Sequence, residues 1–408
     1  MPEFKTMDDF DPSGKVVLLR VDVNAPFDEA TGKIGDSGRF AAHAQTIKEL
    51  ANKKARVIVL AHQSRVGKKD FTNLRQHADW LSKHSRKKVR YVPAVYGEYV
   101  EKAVEKLKPG KIILLENVRM LAEEDLQEPP AKLGKLLFVK ELSKLADFYV
   151  NDAFSAAHRA QTSLVGFPEV LPSYAGRVMQ SEFEAVSKAI DGMDRPSVYV
   201  LGGAKPDDCI DLMKYALSNG KVDYVLVSGV IGELCLIAAG KDFGAKKQWL
   251  EEQKYLERIG EIKELVQAHG EKVILPIDFA VKDKDGFRIE VPLSDLPATG
   301  GQSFDIGRET AKLFANYIKQ ARTIYFKGPV GKYEDPVFEL GTKTILQAIQ
   351  NTPAFTIMGG GHSLDAIEKF GVNKKKISHI SIAGGAVIAM LSGQALPSIE
   401  ALKNAANR

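Results

Sequence analysis

Short apolar runs alternate with amphipathic stretches along nearly the whole chain. In the first half, apolar positions at helical spacing predict helices near Ala41–Lys53, Leu74–His84, Val95–Leu107 and Lys132–Leu145. Each leads into a short β-rich run: Val57–Leu60, Val89–Val92, Ile112–Leu115 and Phe148–Val150. A further run, Val16–Leu19, precedes the first helix. The second half repeats the style with Val198–Leu201, Tyr224–Val227, Lys272–Leu275, Thr323–Phe326, Ala354–Met358 and His379–Ser381. Helices alternating with short strands make crossover units, so the expected fold class is α/β with parallel sheets. The segment Phe167-Pro168-Glu169-Val170-Leu171-Pro172 breaks the pattern. A long helix from about Gly176 to Ile190 follows, leading to Asp191-Gly192-Met193-Asp194-Arg195-Pro196, and reads as a connector between two lobes.

Open α/β sheets hold ligands outside the carboxyl ends of their strands, so the residues just after each run carry the chemistry. In the first half those residues are polar and basic. Val16–Leu19 is followed by Arg20-Val21-Asp22-Val23-Asn24, and Val57–Ala61 by His62-Gln63-Ser64-Arg65. Ile112–Leu115 runs into Glu116-Asn117-Val118-Arg119, and Ala146–Val150 into Asn151-Asp152-Ala153-Phe154-Ser155-Ala156-Ala157-His158-Arg159. Arg39 follows the turn Gly35-Asp36-Ser37-Gly38. Any one of these arginines alone would be a surface ion pair, and Asn151 or Asp152 alone a helix cap. Arg39, Arg65, Arg119 and Arg159 together on one sheet edge would repel each other unless an anion sits among them. Guanidinium groups suit phosphate and carboxylate.

The second half ends its runs in glycine instead: Gly202-Gly203-Ala204-Lys205, Ser228-Gly229, Lys327-Gly328-Pro329-Val330-Gly331, Gly359-Gly360-Gly361-His362-Ser363 and Ala383-Gly384-Gly385. Glycine lets backbone N–H groups approach phosphate oxygens, and a helix start adds partial positive charge. Neither the P-loop nor the dinucleotide fingerprint is present. The expected division is therefore a compact anion on the first lobe and a polyphosphate on the second, with Lys205 placed to meet a phosphoryl group. Phosphoryl transfer needs positioning and charge neutralisation above all, and substrates on separate lobes call for closure.

Composition narrows the class. A chain of 408 residues suggests two domains, and 44% hydrophobic with 27% charged residues is that of a soluble, globular, enzyme-sized protein. No apolar run reaches the ~18 residues of a membrane helix, and Met1-Pro2-Glu3-Phe4-Lys5 has no signal-peptide core. Cys209 and Cys235 lack metal-like spacing and fit a reducing compartment, so the expected location is cytoplasmic. A net charge of +5 suits acidic small molecules and gives no argument for nucleic acid or a membrane as partner.

With these motifs in order, the chain resembles the phosphoglycerate kinases over essentially its full length. The similarity is carried by Leu19-Arg20-Val21-Asp22-Val23-Asn24-Ala25-Pro26, Leu115-Glu116-Asn117-Val118-Arg119, Asn151-Asp152-Ala153-Phe154 with Ala157-His158-Arg159, Leu201-Gly202-Gly203-Ala204-Lys205, Gly328-Pro329-Val330-Gly331 with Glu334, Gly341-Thr342, and Gly359-Gly360-Gly361. It implies two Rossmann-like lobes with parallel sheets joined by a hinge helix. The expected boundaries are 1–172 for the phosphoglycerate-binding lobe, with a tail of about 393–408 packing back on it, 173–195 for hinge helix and linker, and 196–392 for the nucleotide lobe. It also implies transfer of phosphate between 1,3-bisphosphoglycerate and ADP, giving 3-phosphoglycerate and MgATP, in a monomer or homodimer. Asp22, Asn24, Arg39, His62, Arg65, Arg119 and Arg159 are similar to the family's substrate-binding residues, with Arg39 and Lys205 in the catalytic roles. Gly203, Ala204, Lys205, Gly229, Lys327, Pro329, Glu334, Gly359, Gly360, Gly361, His362 and Ser363 would bind the nucleotide, Glu334 at the ribose. The attacking oxygen is already ionised at neutral pH, so no general base is needed, and His158 is read as structural.

Some positions depart from the family's pattern. Ser64 replaces a glycine in the turn His62-Gln63-Ser64-Arg65-Val66, so the backbone there is expected to differ. Cys209 stands where many members carry a second lysine, and Lys327 where many carry asparagine; Lys327 is expected to supply the missing charge. His362 replaces an aspartate near the nucleotide's Mg²⁺. Histidine is a poor Mg²⁺ ligand, which leaves the metal ligands open: phosphates, water and another carboxylate. The His362-Ser363 form resembles the archaeal branch. Two other readings stand beside this one: a sister kinase acting on a different acyl phosphate, and a catalytically weak binding protein.

Overall fold

The computed structural model describes residues 3–191, 194–297 and 302–408. Met1 and Pro2 of the N-terminal segment, and Gly192 and Met193 of the expected linker, lie outside the described residues. The chain divides into two compact units, Met1–Glu184 with Ala395–Arg408, and Ala185–Gln394. The division falls inside the helix Arg177–Asp191.

Unit 1 is built on a six-stranded parallel sheet. Its strands are β1 Val16–Arg20, β2 Arg56–Leu60, β3 Val89–Tyr91, β4 Ile112–Leu114, β5 Phe148–Asn151 and β6 Ser173–Ala175, in the order β3-β4-β2-β1-β5-β6. The runs are apolar on both faces because helices cover both. Val17, Leu19, Val57, Val59, Ile112 and Leu114 pack into one core, and Val16, Leu18, Ile58, Leu60 and Ile113 into another. Successive residues of a strand point to opposite faces, which is why neighbours in sequence part company here. The chain crosses to the other side of β1 between β4 and β5, so the order reverses at β1.

Unit 2 carries a second six-stranded parallel sheet: β7 Ser197–Leu201, β8 Tyr224–Val227 and β9 Val273–Ile274, then, later in the chain, β13 Thr323–Lys327, β14 Phe355–Gly359 and β15 His379–Ser381, in the order β9-β8-β7-β13-β14-β15. Its reversal lies between β7 and β13. Between β9 and β13 comes an antiparallel sheet of β10 Asp278–Lys282, β11 Arg288–Pro292 and β12 Ser303–Ile306, in the order β11-β10-β12. Sequence patterning does not anticipate this sheet or β6. The expected helix Lys132–Leu145 is two, Pro130–Leu133 and Leu137–Ser143. At Gly134, between them, a side chain would crowd the Glu169 Cβ at 2.7 Å. No helix among the described residues is long and apolar enough to cross a membrane.

Candidate functional site

In unit 1 the parallel order sends β1, β2, β4 and β5 to the same edge, and their following residues meet there. Asp22, just past β1, is buried and takes three partners. Its Oδ2 accepts from Arg39 Nη1 at 2.6 Å and from the Ser155 hydroxyl, and its Oδ1 accepts from the Asn24 N–H at 3.0 Å. Arg39 is brought there by its helix, Gly38–Asn52, whose N-cap Ser37 accepts from the Arg39 N–H. Burial works against the Asp22 charge, but Arg39 and these hydrogen bonds outweigh it and hold the carboxyl well below its ordinary range.

His62, past β2, is buried beside it, with Nε2 3.9 Å from Asp22 Oδ1. Arg20 Nη2 donates to His62 Nδ1 at 3.1 Å. A guanidinium only donates, so Nδ1 accepts and the ring is neutral. Burial pushes this imidazole well below its ordinary value; Asp22 opposes the shift, and Arg20, Arg119 and Arg159 reinforce it. Arg119, past β4, is buried, donates to the Ser64 carbonyl and to Gln161 Oε1 at 3.3 Å, and is pushed down to about 10 by burial and by Arg159 and Arg20. Arg159 is pushed down by burial and by Arg65. Its Nε donates to His158 Nε2 at 3.2 Å. The structure thus brings the expected cations together, close enough for each to lower another's pKa. Arg65 itself is exposed.

Ser64 takes a left-handed φ of +55°, a conformation that favours glycine, with its N–H on Asn24 Oδ1 at 2.7 Å. Asp152 does cap a helix, but not the next one. Its Oδ1 accepts from the N–H of Val178 at 2.8 Å, opening the helix Arg177–Asp191. Its Oδ2 accepts from His43 Nδ1 at 2.8 Å, and His43 Nε2 accepts from the Asp22 N–H at 3.4 Å. Gly176 is glycine because a Cβ there would collide with the Asp152 carboxylate. His43, Ser155, Gln161 and the buried pair Arg20–Glu124, 3.9 Å apart, were not singled out from sequence.

In unit 2 the glycine turns have two distinct causes. Gly202, Gly229 and Gly328 sit tight against backbone: a Cβ on Gly229 would stand 2.8 Å from the Gly203 carbonyl, one on Gly328 2.7 Å from that of Gly202, and one on Gly202 would collide with that of Pro329. These are backbone-to-backbone contacts between strand ends. Gly203, at φ +88°, and Gly361 have open space where a side chain would be. Gly203, Ala204, Gly229, Pro329, Glu334 and His362 line one cavity of about 440 Å³ together with Val230, Glu233, Lys246, Trp249, Phe279 and Ser303. Lys205, Lys327, Gly359, Gly360, Gly361 and Ser363 are not in its lining. Lys205 is exposed, two residues ahead of the helix Asp207–Ser218. Gly361 opens the helix Gly361–Lys369, and Ser363 Oγ accepts from the Gly328 N–H at 3.2 Å. Lys327 Nζ lies 3.1 Å from Cys209 Sγ and 3.8 Å from Asp208. His362 and Glu334 stand 3.6 Å apart, both exposed.

An arginine cluster and a glycine-lined cavity, each at the reversal point of its own parallel sheet, are matched by a family model described as phosphoglycerate kinase over residues 7–394. The chain belongs to the phosphoglycerate kinase family. It is 45% identical to the phosphoglycerate kinase of Methanothermus fervidus, over 100% of this chain and 99% of that protein. It is 44% identical to that of Methanothermobacter thermautotrophicus, over 98% and 97%. Among solved structures, phosphoglycerate kinase from Pyrococcus horikoshii superposes with a TM-score of 0.91 at 36% identity, covering 98% of this chain and 99% of that one. The Coxiella burnetii phosphoglycerate kinase gives 0.80 at 32%, covering 99% and 100%. Membership makes this chain a phosphotransferase acting with a nucleotide substrate, and the two relatives named are archaeal.

Proposed function

We propose that this chain transfers the phosphoryl group reversibly between 1,3-bisphosphoglycerate and ADP, giving 3-phosphoglycerate and MgATP. The observation that carries this reading is the Asp22–Arg39–His62–Arg119–Arg159 cluster. Three cations and a neutral imidazole around one ionised carboxylate can bind a compact trianion that bears both phosphate and carboxylate. Asp22 and Asn24 orient its hydroxyl and carboxyl groups; Arg65, Arg119 and Arg159 hold its phosphate; neutral His62 offers Nε2–H. Arg39 on one unit and Lys205 on the other neutralise the oxygens of the phosphoryl group in flight. Both possible attacking oxygens are ionised at neutral pH, so no base is assigned, and His158 positions Arg159.

The nucleotide is assigned to the cavity of unit 2, with Glu334 at the ribose and the turns Gly203-Ala204 and Gly359-Gly360-Gly361 with Ser363 at the phosphates. Among the described residues no three His, Cys, Asp or Glu side chains gather as a metal site. Mg²⁺ would enter with the nucleotide, held by phosphate oxygens, water and another carboxylate, and would offset phosphate charge there. The helix Arg177–Asp191 is assigned as the connector, and Lys327 as the charge that Cys209 does not provide. The sister-kinase and binding-protein readings are not favoured.

The test is a coupled assay of purified protein with 3-phosphoglycerate, MgATP and a downstream dehydrogenase. Turnover in the wild type and a loss of roughly 10²–10³-fold in kcat for Lys205→Ala are expected. Absence of turnover by folded protein with ATP and GTP would sink the reading.

A further inference from the structure

The cavity of unit 2 holds one group that phosphate binding does not use. Glu233, on the helix Gly229–Ala238, lines it and is 4% exposed. Its Oε1 accepts from the Ser303 hydroxyl, but its Oε2 is buried with no hydrogen-bond partner. Lys246 Nζ is the nearest charge, 3.6 Å from Oε2, and is itself 11% exposed and held over the Trp249 ring at 4.4 Å. Val230 and Phe279 line the same cavity, with Asp305 and Lys332 also in its lining, and Phe279 packs with Leu236 and Phe243. A buried carboxylate oxygen without a donor is unfavourable, and a purely structural tether to Ser303 would not need it. Burial pushes the Glu233 carboxyl up, and Lys246 and Ser303 resist the shift.

We infer that Glu233 reads the base of the nucleotide, its Oε2 accepting a hydrogen bond from an exocyclic amino group, so that the cavity selects amino-bearing purines. This rests on the assignment of the nucleotide to this cavity. The glycine turns serve the phosphates, and the aromatic and aliphatic lining around Glu233 suits the faces of a planar base. An ionised carboxylate has no proton to give, so the base must supply the donor. The 6-amino group of adenine and the 2-amino group of guanine both can. Lys246 then offers its own N–H to the adjacent ring nitrogen or carbonyl. A base without such a donor would leave two acceptors unpaired against each other, and a site built to hydrogen-bond a group rejects the analogue lacking it.

The experiment compares ATP, GTP and purine riboside triphosphate, whose base carries no N–H at all, in the coupled assay. The wild type is expected to favour ATP or GTP over purine riboside triphosphate by tenfold or more in kcat/KM, with the difference in KM. Glu233→Leu should bring that ratio to within about twofold, and Glu233→Gln, which keeps an acceptor but loses the charge, to an intermediate value. A loss confined to ATP places the donor on C6; one confined to GTP places it on C2. Equal use of all three by the wild type, or a ratio that survives in both variants, overturns the inference while leaving the kinase reading intact. No turnover with any nucleotide would instead overturn the kinase reading. Should Glu233→Leu fail to fold, nucleotide affinity of Glu233→Gln, read from Trp249 fluorescence in a Trp80→Phe background, decides the matter by the same ratio.

Discussion

On the assignment proposed above, the two units bind anions with different materials. Unit 1 uses side chains: arginines and a histidine, with an ionised carboxylate, Asp22, in their midst. Unit 2 uses backbone, with glycines tight against backbone at Gly202, Gly229 and Gly328 and leaving open space at Gly203 and Gly361. A small trianion with fixed charges rewards rigid, directional guanidinium groups. A polyphosphate with many rotamers and its own metal rewards a surface of N–H groups that costs little charge. The electrostatic consequences run in opposite directions. In unit 1, burial drives histidines neutral, as at His62, His77 and His158. In unit 2, it drives carboxyls up, as at Glu233 and Asp305.

The largest effect should come from removing the cation that the side-chain site depends on. Arg39→Ala deletes the charge proposed for the phosphoryl group and the 2.6 Å partner of Asp22 together. A fall in kcat of roughly 10²–10³-fold is expected, with KM for 3-phosphoglycerate raised and KM for the nucleotide little changed. Arg39→Lys should recover only part, since an ammonium cannot hold two partners in a planar fork. Steady-state kinetics with each substrate varied in turn would check this. A rise confined to the nucleotide KM would break the division between the units.

This division was legible in the sequence because strand ends are. Apolar runs such as Val16–Leu19 and Thr323–Phe326 are bounded by polar or glycine residues, and a parallel sheet necessarily sends them to one edge. What stayed hidden depends on partners far away in the chain. Asp152 looked like a cap for the turn that follows it; only the fold brings Val178 to its carboxylate and His43 to its other oxygen. The strand β11 is half-exposed and mixed in character, as in Arg288-Ile289-Glu290-Val291-Pro292, and the buried β10 and β12 mix polar residues such as Asp278, Lys282, Ser303 and Asp305 with apolar ones, so no apolar run marked them. The glycines were visible, but their two causes were not, because crowding between Gly202 and Gly328 is a property of paired strands. Glu233 stood in an apolar helix without any signal that its carboxylate faces a cavity.

The next effect is smaller and tests the opposed electrostatics. Burial pushes His77 down to about 4; its Nε2 bonds Gln63 Oε1 at 3.0 Å. Folded His77 stays neutral while the unfolded ring takes up a proton near pH 6.5, so its stability contribution is complete above pH 6.5 and is lost between about 6.5 and about 4. At pH 5 the loss is about 2 kcal/mol, or roughly 4–8 °C in Tm. His62 and His158 act with the same sign, and so does Asp22 at still lower pH; Glu124, raised by burial, opposes them. In unit 2, Asp305 is raised to about 6, so the folded state keeps a proton that the unfolded chain releases, and stability is gained as pH falls from about 6. Trp80 and Trp249 report one unit each. Thermal melts of Trp80→Phe and Trp249→Phe at pH 7.5 and pH 5 should show the Trp80-reported transition falling well below the other on acidification. Transitions that shift together would show that the two units do not differ in this way.

The smallest effect concerns a place where the backbone site borrows a side-chain charge. Lys327 ends β13, is 12% exposed, and reaches Cys209 on the neighbouring helix. Burial raises the Cys209 thiol against the pull of Lys327, so the sulfur is neutral and leaves the ammonium's charge available to a phosphate. An ammonium can be delivered to this spot either from the strand or from position 209, but position 209 lies in the first turn of its helix, where a cation is disfavoured by about 0.3–1 kcal/mol. Lys327→Asn should cost about tenfold in kcat/KM for the nucleotide. Cys209→Lys alone should lower stability by placing two ammonium groups side by side. The double variant Cys209→Lys with Lys327→Asn should regain most of the activity, a coupling that neither single change predicts. If instead Lys327→Asn turns over normally, the charge is not needed there, Lys205 carries the cationic role on this unit, and the contrast between a side-chain site and a backbone site is sharper than the geometry of Lys327 and Cys209 suggests.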